Sequence, residues 1–143
     1  MTKDVLVTIT GLMTSPQDDD SIEVTTAGSY YFKNGKHYIL FEEIGDDMAS
    51  IVKNMITING NHVDVTKKGA IDTQMSFEKG CKLNSFYGSA FGQLELGIIT
   101  DEIEICQDES RLEMNLKYQL EINNAHVSDN KLHMLVQSRM PQA

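Results

Sequence analysis

The chain has 143 residues, which suits one ordinary domain that buries roughly two thirds of the surface its extended form exposes. Apolar residues make up 41% and charged residues 23%, a balance that excludes wholesale disorder and a fibrous repeat. Twelve basic against twenty-one acidic residues give a net charge of −9, which repels phosphate groups, so we expect neither nucleic acid nor a membrane as a partner.

No stretch approaches the ~18 consecutive apolar residues of a membrane span, and the segment from Met1 to Val5 lacks the apolar core of a secretory signal. We therefore expect a cytoplasmic protein whose two cysteines, Cys81 and Cys106, are reduced thiols. No linker or internal repeat divides the chain, so we expect one domain over residues 1–143.

Apolar residues at every second position predict strands throughout the chain, in the order 5–9, 56–58, 63–65, 71–77, 94–98, 103–105, 112–122 and 132–136. The strongest of these segments runs from Leu112 to Ile122, where six apolar or aromatic residues alternate with five polar ones. A helix through this segment would place Asn115 and Gln119 on the stripe of Leu112 and Leu116, so the helical pattern fails.

Short turn signals separate the strands: Asn34-Gly35, Asn59-Gly60, Lys68-Gly69, Lys79-Gly80, Asp108-Glu109-Ser110 and Asn123-Asn124. No connection is long enough for a crossover helix, which predicts an antiparallel meander. Eleven residues of strand span roughly 37 Å, close to the full diameter of a compact chain of this size, so such strands must coil. We predict an all-β closed antiparallel barrel of about 8–10 strands, with a β-sandwich as the alternative.

In three predicted strands, a polar residue stands on the face that is otherwise occupied by apolar residues at every second position. Glu42 follows Tyr38 and Leu40, Lys67 follows Val63 and Val65, and Tyr118 lies within the stripe from Leu112 to Ile122. Ile39, Phe41 and Glu43 fit the opposite phase equally well, so either glutamate is a candidate for the interior. The alternative is that these charges lie at strand ends and emerge into solvent.

The sequence offers no pattern for a metal, a cofactor or a catalytic group. The four histidines are scattered, and only His62 shares a strand face with a carboxylate, Asp64, whereas zinc needs three or four converging ligands. Neither a phosphate loop nor a nucleophile elbow occurs. We therefore expect no metal, no cofactor and no catalytic residue.

The order of several motifs resembles the YwiB-like proteins, a bacterial family of unknown function. The resemblance rests on segments 3–7, 26–31, 38–43, 74–77, 87–92, 94–100, 118–123 and 127–132. It implies a calycin-like β-barrel, lipocalin-like in architecture. The family pattern has an arginine where Lys67 stands, a tyrosine where Phe41 stands, and Thr-Pro-Tyr-Gly at 89–92, and the loss of these polar groups would weaken recognition there.

Calycin-like barrels often hold small, largely apolar molecules, so the resemblance favours a ligand in the barrel interior, within a cavity lined by Met and Leu side chains. The candidate ligand-binding residues are Glu42, Lys67, Gln74, Tyr87 and Tyr118. Two alternatives stay open. One is an enzyme that uses Glu42 or Glu43 as a general acid or base, and the other is a protein-interaction or assembly module. The ligand, the oligomeric state and the biological process stay open as well.

Overall fold

The computed structural model describes residues 3–11, 23–44, 51–69, 72–89 and 92–139. They form ten strands: β1 Asp4–Thr10, β2 Glu23–Lys33, β3 Lys36–Ile44, β4 Ile51–Asn59, β5 His62–Lys68, β6 Asp72–Glu78, β7 Lys82–Ser89, β8 Gly92–Gln107, β9 Arg111–Ile122 and β10 Ala125–Ser138. In this described part of the chain, no helix is long and apolar enough to cross a membrane.

Each strand pairs antiparallel with its neighbours in sequence, and β1 pairs with both β2 and β10, which closes the sheet. Val7, for example, pairs with Thr26 on one side and with Val136 on the other. The prediction of a closed antiparallel barrel is therefore confirmed, and the β-sandwich alternative is wrong. Closure removes the two free outer edges that an open sheet of these strands would have.

Tight turns connect several strands. Asn34 and Gly35 both have positive φ (54° and 77°), as do Asn123 and Asn124 (53° and 64°), which matches the twist of a two-residue hairpin. The turn predicted at Asn59-Gly60 lies one residue later, because Asn59 still pairs with His62 and Gly60 supplies the positive φ. We call the end of the barrel that carries the turns at 34–35, 60–61 and 108–110 the turn end.

The core consists of the inward-facing residues of nearly every strand. Along β9, Leu112, Met114, Leu116, Tyr118 and Leu120 are all buried, as the alternation predicts. Tyr118 packs edge-on against Phe77, with ring centroids 4.9 Å apart, yet its hydroxyl has no hydrogen-bond partner among the described residues. Burial raises the pKa of this phenol to about 12 because the charged form would be desolvated.

Two ladders in the wall are incomplete. Residues 28–33 of β2 pair with β3, whereas residues 23–27 pair with β1 alone among the described strands. Between β6 and β7 the ladder covers only residues 72–74 and 86–88, and beyond it the Ser85 hydroxyl accepts a hydrogen bond from the Ser76 backbone N–H at 3.0 Å. We call the first discontinuity, between β2 and β3, the β2–β3 seam.

Gly28 is the first residue of β2 that pairs with β3, and its partner is Phe41. A Cβ atom there would lie 2.6 Å from the Leu40 carbonyl oxygen and 3.0 Å from Val7 Cγ2. Contacts this short cannot form without a shift of the backbone. The strands therefore approach closely at this position because it lacks a side chain.

We expect Gly28→Ala to lower the free energy of unfolding by about 1–3 kcal/mol, since the added methyl must displace the β3 backbone. Urea denaturation measures this change. Gly97→Ala is the matched control, because its Cβ would meet the flexible end of Lys82 at 3.0 Å, which can move aside. Equal midpoints for the two variants would contradict a backbone clash at Gly28.

We expect Tyr118→Phe to raise the free energy of unfolding by about 1 kcal/mol at neutral pH, because it removes a buried hydroxyl without a partner. Between pH 10.0 and about 12 the unfolded state loses the phenol proton and the folded state keeps it, so the free energy of unfolding of the wild type falls as the pH rises through this range. The variant lacks this component of the loss. Urea midpoints at neutral and alkaline pH measure both effects.

Tyr38→Phe is the control, because Tyr38 is a half-buried residue on the outer face of β3. A loss of stability in Tyr118→Phe at neutral pH would show that the Tyr118 hydroxyl has a bonding partner in solution.

Candidate functional site

Three polar side chains lie next to one another on the inner wall, at the end of the barrel opposite the turn end. The strand registers pair Asn54 with Lys67, and Lys67 with Thr73, so the three residues occupy one lateral line across β4, β5 and β6. We call them the polar row. Neighbouring strands are about 4.8 Å apart, which places each member within reach of the next. The line continues to Phe41 on β3 and to Tyr87 on β7.

Lys67 is the charged member of the polar row. Its Nζ atom lies 3.5 Å from Oε1 of Glu43, and the two side chains are 11% and 27% exposed. Glu43 belongs to the same inward phase of β3 as the buried Ile39 and Phe41. The two charges are largely removed from bulk water, and each compensates the desolvation of the other.

Asn54 and Thr73 carry unpartnered polar atoms. They are 2% and 5% exposed, and neither Asn54 Oδ1 nor Thr73 Oγ1 has a hydrogen-bond partner among the described residues. The Asn54 Nδ2 group donates a 3.4 Å hydrogen bond to the Val52 carbonyl oxygen. A buried polar atom without a partner costs about 1–3 kcal/mol, so two of them beside a buried ion pair suggest that something else satisfies them.

A groove at the β2–β3 seam reaches one member of the polar row, Asn54. It has a volume of ≈ 320 Å³, which equals roughly ten water molecules at their liquid volume and lies at the small end of the range for ligand pockets. Its wall combines the inner residues Gly28, Phe41 and Asn54 with outer ones, among them Leu40, Glu42 and Lys53. Asn54 therefore belongs both to the groove and to the polar row.

The predicted site residues lie in different places. Lys67 and Tyr118 face the interior, as expected, and neither of them lines the groove; Tyr118 belongs to the apolar core. Glu42 and Gln74 are exposed on the outer face. Of the two glutamates that the sequence left open, Glu43 is therefore the one that faces inward, and the interior position expected for Gln74 is wrong. In each case the neighbouring residue, Glu43 or Thr73, takes the inward phase. The side chain of Tyr87 lies outside the described part of the structure.

Sequence reasoning missed Asn54 and gave Thr73 no role beyond its strand. The signal for Asn54 was present, because extending the phase of Ile56 and Ile58 backwards by one step reaches it, and a further step reaches the buried Val52. The groove at the β2–β3 seam has no methionine and only one leucine, Leu40, in its wall, so it is not the expected cavity lined by Met and Leu. Met75, Met114 and Met134 pack within the core, and Met55 is exposed.

A second polar cluster lies at the turn end. Tyr30 Oη is 2.7 Å from His37 Nδ1, and Gln107 Nε2 donates to the same hydroxyl at 3.4 Å. Burial raises the pKa of Tyr30 and lowers that of His37, since both prefer their neutral forms there. These three groups satisfy one another, so they offer fewer open hydrogen-bonding positions than the polar row.

The outer face carries satisfied pairs as well. His62 Nε2 lies 3.0 Å from Asp64 Oδ2, and Ser76 donates to the other oxygen of the same carboxylate at 2.7 Å. Within the described ranges, no group of three or more His, Cys, Asp or Glu residues is arranged to hold a metal ion. Cys81 and Cys106 are free thiols.

Three comparisons place the chain among known proteins. It is 29% identical over 117 residues to the uncharacterized beta-barrel protein YwiB of Bacillus subtilis strain 168. This alignment covers 82% of this chain and 78% of that protein. The crystal structure of the ywiB protein from Bacillus subtilis superposes with a TM-score of 0.74 at 23% identity, covering 96% of this chain and 91% of the other, which shows the same fold. The model of the family described as Domain of unknown function (DUF1934) matches residues 7–134, so the chain belongs to that family.

Proposed function

We propose that this protein binds a small, largely apolar molecule whose polar end meets the polar row. The observation that supports this most directly is the pair of unpartnered atoms, Asn54 Oδ1 and Thr73 Oγ1, on either side of Lys67. Burial of these two atoms without partners costs free energy, and a ligand that formed a hydrogen bond to each of them would offset this cost.

The groove at the β2–β3 seam offers room for the rest of the molecule. Leu40 and Phe41 supply an apolar surface, and the missing side chain of Gly28 leaves space beside them. The resemblance to calycin-like barrels, which often hold small apolar molecules, agrees with this proposal as an analogy of fold. The proposal also places the protein in the cytoplasm, where free thiols such as Cys81 and Cys106 stay reduced.

Native mass spectrometry of the protein purified from its own cells tests the proposal directly. We expect the wild type to retain a small molecule, and we expect Asn54→Leu to lose it, since leucine fills a similar volume and cannot bond. Thr57→Val, on the outer face of β4, is the control that keeps the molecule. A molecule retained equally by Asn54→Leu would contradict binding at the polar row.

A ligand-free measurement complements this experiment. We expect Thr73→Val to raise the free energy of unfolding of the empty protein by about 1 kcal/mol, because valine has the same shape and no unpartnered hydroxyl. Thr57→Val should change stability by less than half as much. If the purified wild type carries no molecule and Thr73→Val is destabilising, the polar row is a structural network and the proposal is wrong.

A further inference from the structure

We propose that the polar end of the ligand is an uncharged amide edge, with an N–H and a C=O on the same side, as in a primary amide or a lactam. This inference rests on the proposed function and specifies the chemistry of the molecule. It follows from which atoms of the polar row are open, and from the charge that already surrounds them.

Asn54 requires a donor. Its Nδ2 group donates to the Val52 carbonyl oxygen, and turning the amide over would bring Oδ1 against that carbonyl, so the orientation is fixed. The open atom is therefore Oδ1, which only accepts hydrogen bonds. A carboxylate or a phosphate that is fully ionised has no hydrogen to give it and would leave it unpartnered.

The adjacent positions require an acceptor. Lys67 has three N–H donors on its Nζ atom, which lies 3.5 Å from Glu43 Oε1, and the hydroxyl of Thr73 has no partner among the described residues. A carbonyl oxygen placed between Lys67 and Thr73 would accept from both. The ligand must thus offer an N–H toward Asn54 and an oxygen toward the next two strands.

Charge excludes ionic ligands. Glu43 already neutralises Lys67, and both side chains are largely shielded from water, so this pair, as the described residues form it, carries no net charge. An anion would bring a second negative charge beside Glu43, and a cation would bring a second positive one beside Lys67, at a cost that burial increases. A neutral ligand avoids both penalties.

The geometry selects one edge of the amide. All three groups of the polar row lie on one wall, about 4.8 Å apart from strand to strand, so the donor and the acceptor of the ligand must face the same way. A primary amide and a lactam present N–H and C=O side by side. A trans secondary amide directs them in opposite directions and can satisfy only one side of the polar row.

Three matched probes test the inference: hexanamide, hexanoate and N-methylhexanamide, titrated into the protein and followed by backbone amide NMR shifts in β4, β5 and β6. We expect hexanamide to bind about tenfold more tightly than either of the others, which corresponds to one buried hydrogen bond left unmade. Asn54→Leu should abolish the preference, and Thr57→Val should keep it.

The Glu43→Gln variant tests the role of charge directly, because it removes the charge that neutralises Lys67 and keeps the shape of the side chain. We expect hexanoate to bind this variant more tightly than hexanamide, which reverses the order seen for the wild type. A merely structural role for Glu43 would weaken both probes alike, and that result would overturn the inference.

The outcomes separate the inference from the proposed function. Tighter binding of hexanoate to the wild type, or retention of a carboxylic acid from the cells, overturns the amide assignment and leaves ligand binding in place. Absence of shifts with all three probes at millimolar concentration also overturns the amide assignment. The retained molecule in native mass spectrometry then decides the proposed function on its own.

Discussion

Strand β1 hydrogen-bonds to β10 along one edge and to β2 along the other, and every other feature of the molecule depends on this double pairing. Closure gives each strand one face toward the interior, so residues at alternate positions are either buried or exposed to solvent. A shift of one residue in any strand would move its apolar set into water. The closed ring therefore sets the register of all ten strands together.

The same constraint creates the polar row. Asn54, Lys67 and Thr73 come from three strands and share no local motif, yet the registers of β4, β5 and β6 place them side by side on the inner wall. An apolar residue at any of these positions would have made a simpler core, as it does at Ile56, Val65 and Met75 one step away. Two buried atoms without partners beside a shielded ion pair are a stability cost, and proteins tend to carry such costs at functional sites.

Local alternation predicted the architecture because the period of two is a property of each strand alone. Residues 112–122 show this best, since every residue expected to face inward is buried except Ile122, which is half-buried at the strand end. The stretch 38–44 shows where the method stops. Both of its phases are apolar, and only the pairing of Phe41 with Gly28 and Asn54 decides that Glu43, and not Glu42, faces inward.

The candidate site was harder to predict than the fold for the same reason. Lys67 could be found from its own strand, because it continues the phase of Val63 and Val65. Its neighbours could not, since nothing local in the sequence says that Asn54 and Thr73 stand on either side of it, or that Glu43 reaches it diagonally. Gln74, which the sequence indicated, lies one position away from Thr73 on the outer face of β6.

The β2–β3 seam affects how the ring deforms. Because β2 pairs with β3 only from Gly28 onward, residues 42–44 of β3 have main-chain partners on β4 alone among the described strands, so deformation breaks few main-chain hydrogen bonds here. A molecule that reached Asn54 by way of the groove would therefore enter through the side wall of the barrel.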